Sequence, residues 1–177
     1  FFRFCLHTFR IAIILKEICK KKRSEIEDTK SRYSLKSLKK LLPEKKNRNF
    51  GELLNTSQKN KKNNIIAEIK KSSPSAGEII KNYHPDQIAL QYEKSGAGAI
   101  SVLTEKNFFS GDLDHLSLIN KISRVPILRK DFILDEYQIY ESKFFKADSI
   151  LLIVKILTDN QIRFFLEIAQ DIGIDCI

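Results

Sequence analysis

The stretch VPILRKDFILDEYQIYESKFFKADSILLIV, residues 125–154, holds one complete strand–helix–strand unit. An apolar strand, PILRKD (126–131), is followed by an amphipathic segment at 135–146 and then by a second apolar strand, SILLIV (149–154). The same grammar extends in both directions. Upstream lie the strands IIAEIK (65–70) and AISVLT (99–104), and a fifth strand starts at Ile174. Helices are expected over 85–95, 112–123 and 159–172, between the strands. Strand starts fall one βα unit apart, so right-handed crossovers would lay the strands parallel.

Buried parallel strands are nearly all apolar, because helices cover one face and side chains fill the other. The exceptions therefore carry information. Glu68 and Lys70 share a face of the first strand by alternation, and Lys130 ends the third strand in the same position relative to its loop. Charged residues at strand C-terminal ends are where α/β barrels keep their chemistry. A carboxylate two residues from an ammonium also reads as a simple ion pair. The functional reading adds the loop SSPSAG (72–77), whose Ser73 and Ser75 hydroxyls and backbone N–H groups beside a lysine suit an anion or phosphate. Lys130, between an apolar strand and Phe132, is either a surface strand cap or, if the fold buries it, a proton donor near neutrality. Phe108 and Phe109, on the loop after the second strand, are core packing or the wall of an aromatic site.

Upstream, Ile14, Ile18, Leu35, Leu38, Leu41 and Leu42 recur at helical steps, which predicts a helix pair over 14–42, broken near Ser31–Ser34 and ended by Pro43. A short helix at 50–54 and a polar surface loop at 55–64 follow. Residues 1–62 hold 18 Lys/Arg against six Asp/Glu, whereas residues 63–177 hold 13 against 16. The net charge of +9 is thus carried by the leading segment. A nucleic-acid arm, a targeting remnant and the solvated face of a helix all fit such a segment. Interrupting acids and the lack of aromatics among the lysines favour the helix face. Residues 1–13 form a basic apolar extension, and their region contains no apolar run long enough to cross a bilayer. The three cysteines are scattered and read as reduced thiols, with neither a disulfide framework nor a metal site. No Met occurs, even at position 1, so the 177 residues are read as an internal piece of a longer chain, short of the roughly 250 residues of a closed barrel.

IIAEIKKSSPSAG, ISVLTEKNFFSGDLDHL, VPILRKDFILDEYQIYES and ADSILLIVKIL, in that order and spacing, resemble the signature blocks of the indole-3-glycerol phosphate synthase family, and ILKEICKKKRSEI is similar to its N-terminal helix. The resemblance implies an incomplete (β/α)8 barrel: about four βα units and the start of a fifth strand over 63–177, preceded by a helical extension over 14–62. It further implies ring closure with loss of CO2 and water on 1-(2-carboxyphenylamino)-1-deoxyribulose 5-phosphate, without metal or organic cofactor. Carried over by motif, Lys130 is the general acid at the ribulose carbonyl, Lys70 binds phosphate and assists dehydration, and Glu68 orients both. Ser73 falls on a substrate-contacting position, and Phe109, Phe132 and Leu151 form the apolar pocket for the anthranilate ring. The family's general base, a glutamate near the end of the fifth strand, is expected beyond Ile177, so these residues are not expected to complete the reaction alone.

The expected partner is that small sugar phosphate, with neither nucleic acid nor membrane, and with fusion to or association with other tryptophan-pathway enzymes left open. Cytoplasm is the expected compartment, with a plastid as the alternative because of the acid-free leading stretch. Two further readings stand beside this one: another sugar-phosphate enzyme of the barrel fold, and a module whose basic arm grips nucleic acid.

Overall fold

The computed structural model describes residues 2–44, 48–60 and 64–177, with side chains from Ile13 onward except at 57–60. Helices α1 (Phe2–Arg32) and α2 (Leu35–Lys40) flank a break at Tyr33 and Ser34, where the Ser34 hydroxyl accepts from the Ser37 N–H at 3.2 Å and caps α2. Helix α1 runs without interruption through residues 13 and 14. Helix α3 (Phe50–Asn60) is longer than expected: the stretch from Asn55 to Asn60 is helical, not loop, and residues 61–63, with the expected boundary at 62 and 63, lie outside the described residues. The reason is at its start. The Asp175 carboxylate accepts from the Phe50 and Gly51 N–H groups at 2.8 and 3.0 Å, and Asn49 accepts from Glu52 N at 2.8 Å. Satisfying those first donors overcomes nucleation, after which polar residues extend the helix at little cost.

The strand–helix alternation follows. Strand β1 (Ile66–Ile69) leads into a small antiparallel hairpin of β2 (Ser72–Ser73) and β3 (Gly77–Glu78), turned at Gly77 with φ +65°. Then come α4 (Pro85–Lys94), β4 (Ala99–Leu103), the single-turn α5 (Lys106–Phe109), α6 (Asp114–Ile122) and β5 (Ile127–Lys130). Helix α7 (Glu136–Phe144), β6 (Ser149–Ile150), a 3-10 turn at Val154–Ile156, α8 (Asp159–Ile172) and β7 (Asp175–Cys176) complete the chain. Helix α8 has a capping box from Thr158 and Gln161 and stops at Gly173, whose φ of +65° suits the left-handed C-terminal position.

The strands β1-β4-β5-β6-β7 form one parallel sheet in chain order. Consecutive units side by side, with no reversal of order, are the arrangement of a barrel rather than of a doubly wound sheet. The fold is therefore α/β, a partial (β/α)8 barrel, open among the described residues. The fourth expected strand, SILLIV, is trimmed to two ladder residues, because β5 pairs with it only at Ser149 and Ile150 and the chain then turns into the 3-10 segment.

Ile69, Ile100, Val102, Ile127 and Ile150 are fully buried on the outer face of the sheet, packed with Ala89, Leu116, Ile119, Ile139 and Ile168 of the surrounding helices. Burying each such aliphatic side chain contributes about 1.5–3 kcal/mol. On the opposite face, Phe50 of α3 packs against Ala99 and Leu128, with Leu53 and Leu151 at the edge of the cluster. Helix α3 thus closes the inner face at the N-terminal ends of the strands and leaves the C-terminal ends open.

Candidate active site at the C-terminal ends of the strands

Alternation about the buried Ile69 turns Glu68 and Lys70 to the inner face, and Lys130 closes β5 on that face two strands away. Glu68 bridges the two lysines: its Oε1 accepts from Lys70 Nζ at 2.8 Å and its Oε2 from Lys130 Nζ at 2.7 Å. Burial alone would raise the Glu68 carboxyl, but hydrogen bonds and positive charge from Lys130 and Lys70 hold it below the usual carboxylate range. The Lys130 side chain remains 36% exposed. Its setting is therefore a carboxylate-paired rim rather than the dry pocket that its apolar neighbours suggest.

The three charged groups line a cavity of about 190 Å³, whose other walls are Asp131 and the apolar Leu103, Phe109, Phe132, Leu151 and Ile153. The Phe109 and Phe132 rings face one another with centroids 6.3 Å apart. Glu68, Lys70, Lys130, Phe109, Phe132 and Leu151, named from the sequence, thus meet in one place. Ser73 does not line the cavity; its hydroxyl accepts from Ala76 N at 3.2 Å inside the hairpin. That hairpin is tied across to the α5 loop by the Ser72 hydroxyl, which donates to Ser110 Oγ at 2.8 Å.

Two buried carboxylates hold the loops that bring the rings in. Glu105 caps α5, accepting from Asn107 N at 3.2 Å and Phe108 N at 2.6 Å. Asp131 accepts from Phe132 N at 2.8 Å, from the Thr104 hydroxyl at 2.7 Å and from Arg129 at 3.0 Å. Gln138 completes the second loop, donating to Phe132 O at 2.9 Å and accepting from Leu134 N at 2.7 Å. Arg129, 2% exposed, also pairs with Glu141 at 3.0 Å. A larger cavity of about 440 Å³ lies on the far side of this network, between α1 and the segments bearing Thr104, Asp112 and Tyr137. Lys22, Glu25, Arg129, Asp131 and Glu141 on its walls pair with one another, whereas the smaller cavity combines two amines with apolar walls and is the candidate site.

Reading the sequence missed α5, Asp131, Arg129 and Glu105 as site-building residues. RKD at the end of an otherwise apolar strand was the available signal, since three consecutive charges there include one that must face the helices. Lys22 on α1 carried no signal at all: among many lysines it looks solvated, yet it is only 5% exposed.

The family model for indole-3-glycerol phosphate synthase matches residues 15–177. The chain is 52% identical over 127 residues to the indole-3-glycerol phosphate synthase of Leptospira interrogans, covering 72% of this chain and 50% of that protein. Against the enzyme of Endomicrobium trichonymphae it is 43% identical over 165 residues, 93% of this chain and 64% of that one. Against that of Thermoanaerobacter pseudethanolicus it is 44% identical over 165 residues, 93% and 62%. The chain thus spans about half to two thirds of the length of these curated relatives.

Proposed function

The chain belongs to the indole-3-glycerol phosphate synthase family, and on that premise we propose that the whole protein closes the indole ring on 1-(2-carboxyphenylamino)-1-deoxyribulose 5-phosphate, releasing CO2 and water. The observation that carries the proposal is the pair of amines, Lys70 and Lys130, converging on one carboxylate at the mouth of an aromatic-walled cavity. Phe109, Phe132 and Leu151 hold the anthranilate ring. As a ring carbon attacks the ribulose carbonyl, Lys130 gives a proton to the oxygen, stabilising charge only where it develops. Loss of CO2 leaves its bonding electrons in the ring and restores aromaticity. Lys70 holds the phosphate and then protonates the departing hydroxyl. Glu68 accepts a hydrogen bond from each amine and keeps both aimed. Ser73 contacts substrate only if the hairpin turns its hydroxyl inward.

Dehydration also needs a base for the ring proton. The carboxylates lining the cavity among the described residues are Glu68, engaged by two lysines, and Asp131, engaged by Arg129 and Thr104. The base is therefore assigned to a part of the whole protein outside these residues. A cytoplasmic location belongs to the same proposal; bacterial relatives support it. Among the described residues no helix is long and apolar enough to cross a membrane.

The test is Lys130→Ala in the full-length protein. Turnover of the carboxyphenylamino-deoxyribulose phosphate should fall about 10²–10⁴-fold, the contribution of a placed proton donor. Retention of the unsubstituted rate would overturn the assignment.

A further inference from the structure

Lys22 lies on α1, far in sequence from the two barrel loops it touches, and its ammonium is buried among carboxylates from three places. It stands 3.0 Å from Glu25 on its own helix, 3.2 Å from Asp131 and 3.7 Å from Glu105. A buried ammonium is costly unless it is paired, so its position is dictated by those partners and theirs by it. Neither barrel partner is an idle acid. Glu105 caps the helical turn that delivers Phe109, and Asp131 fixes the backbone N–H of Phe132 and adjoins Lys130. A second contact repeats the link, since Asn107 on the same turn donates to Glu25. The turn can approach so closely because Gly111 folds its loop back onto β4; a Cβ there would sit 2.4 Å from Leu103 O.

We propose that Lys22 is a positioning residue for the cavity: one cation, supplied from the N-terminal helix, sets the separation of the Phe109 and Phe132 walls by holding Glu105 and Asp131 together. The inference rests on the function proposed above and deepens it. Without the ammonium, Glu105 loses the cation facing it, while Asp131 retains Arg129. The α5 turn is then the part that shifts, and the aromatic slot widens. Substrate binding suffers first, because the ring walls move while Lys130 remains paired with Glu68.

The experiment is steady-state kinetics of the full-length protein on the carboxyphenylamino-deoxyribulose phosphate, with folding checked by circular dichroism. Lys22→Met should raise KM about tenfold or more while kcat changes much less, since small displacements of positioning groups carry costs of that size. Glu105→Gln removes the charge pair while its one amide oxygen can still accept from Phe108 N, and it should reproduce the same split. It decides the matter should Lys22→Met fail to fold. Lys30→Met removes another ion pair from α1, the 2.7 Å contact with Asp135 at the start of α7, and serves as the control for general loosening of α1. It should leave KM unchanged. An unaltered KM in folded Lys22→Met or in Glu105→Gln, or an equal rise in Lys30→Met, would overturn the inference. Lys130→Ala run alongside separates the two levels: if it retains turnover, the proposed function falls and the inference with it; if it is inactive while Lys22→Met keeps its KM, only the inference falls.

Discussion

Asp131 has its carboxylate fully enclosed, facing Arg129, Lys22, the Thr104 hydroxyl and the backbone N–H of Phe132. Burial by itself would push the carboxyl up, but the charges of Arg129 and Lys22 and the two hydrogen bonds outweigh it and hold the group below its ordinary value. A carboxyl depressed in the folded state contributes stability that is present above its unfolded value, near 3.9, and lost as pH falls through the folded one. Asp131→Asn leaves Arg129 and Lys22 undercompensated in a dry site. It should therefore cost about 3–5 kcal/mol at neutral pH by denaturant unfolding of the full-length protein. The deficit should narrow as the pH is lowered below about 4, where the carboxyl of the unfolded chain takes up its proton before the depressed one in the folded state does. A pH-independent deficit would contradict the argument. Glu68 belongs to the same scale with a different outcome: it is exposed enough that its pairing serves geometry more than stability.

At the scale of elements, loops explain what strands do not. Glu68, Lys70 and Lys130 were legible because alternation and strand ends are local properties of a sequence. Phe109 was legible as a loop aromatic, but the turn that aims it was not, since a helix of four residues leaves no periodicity. That turn depends on Gly111, whose N–H donates to Glu105 O at 2.8 Å while its missing Cβ leaves room for the β4 carbonyl. Gly111→Ala forces backbone against backbone. It should destabilise by about 1–3 kcal/mol in thermal or denaturant unfolding and weaken substrate binding, because α5 must move. A variant with unchanged melting and KM would show that the close approach is not needed. The basic N-terminal helix is the other element whose role was obscured. Composition makes its lysines look solvated, whereas Lys22 and Lys30 each end on a barrel carboxylate. A buried lysine and a surface lysine have the same letter and the same helical spacing.

At the scale of the whole molecule, β1 and β7 are the outer strands of the sheet, each paired on one side among the described residues. The inner face holds Ser101 and Ser149, whose buried hydroxyls have no hydrogen-bond partner among the described residues, in register with Glu68 across Leu128. Free strand edges invite pairing with other copies, and unsatisfied buried hydroxyls lower stability. Residues 1–177 produced alone should therefore self-associate in light scattering and fail to turn over the substrate, whereas the full-length protein should do neither. A monodisperse chain of 177 residues working at the full-length rate would refute both expectations.

The order of the βα units, the inward direction of Glu68, Lys70 and Lys130 and the family itself were determined by the amino-acid sequence alone, because hydrophobic period and strand-end charge are set by neighbours a few residues apart. The pairing of both lysines on Glu68, the exclusion of Ser73 from the cavity, the shortening of β6 and the burial of Lys22 were decided only by tertiary structure. Each of these depends on which distant group arrives at a given side chain, and a buried charge takes its meaning from the partner that meets it there.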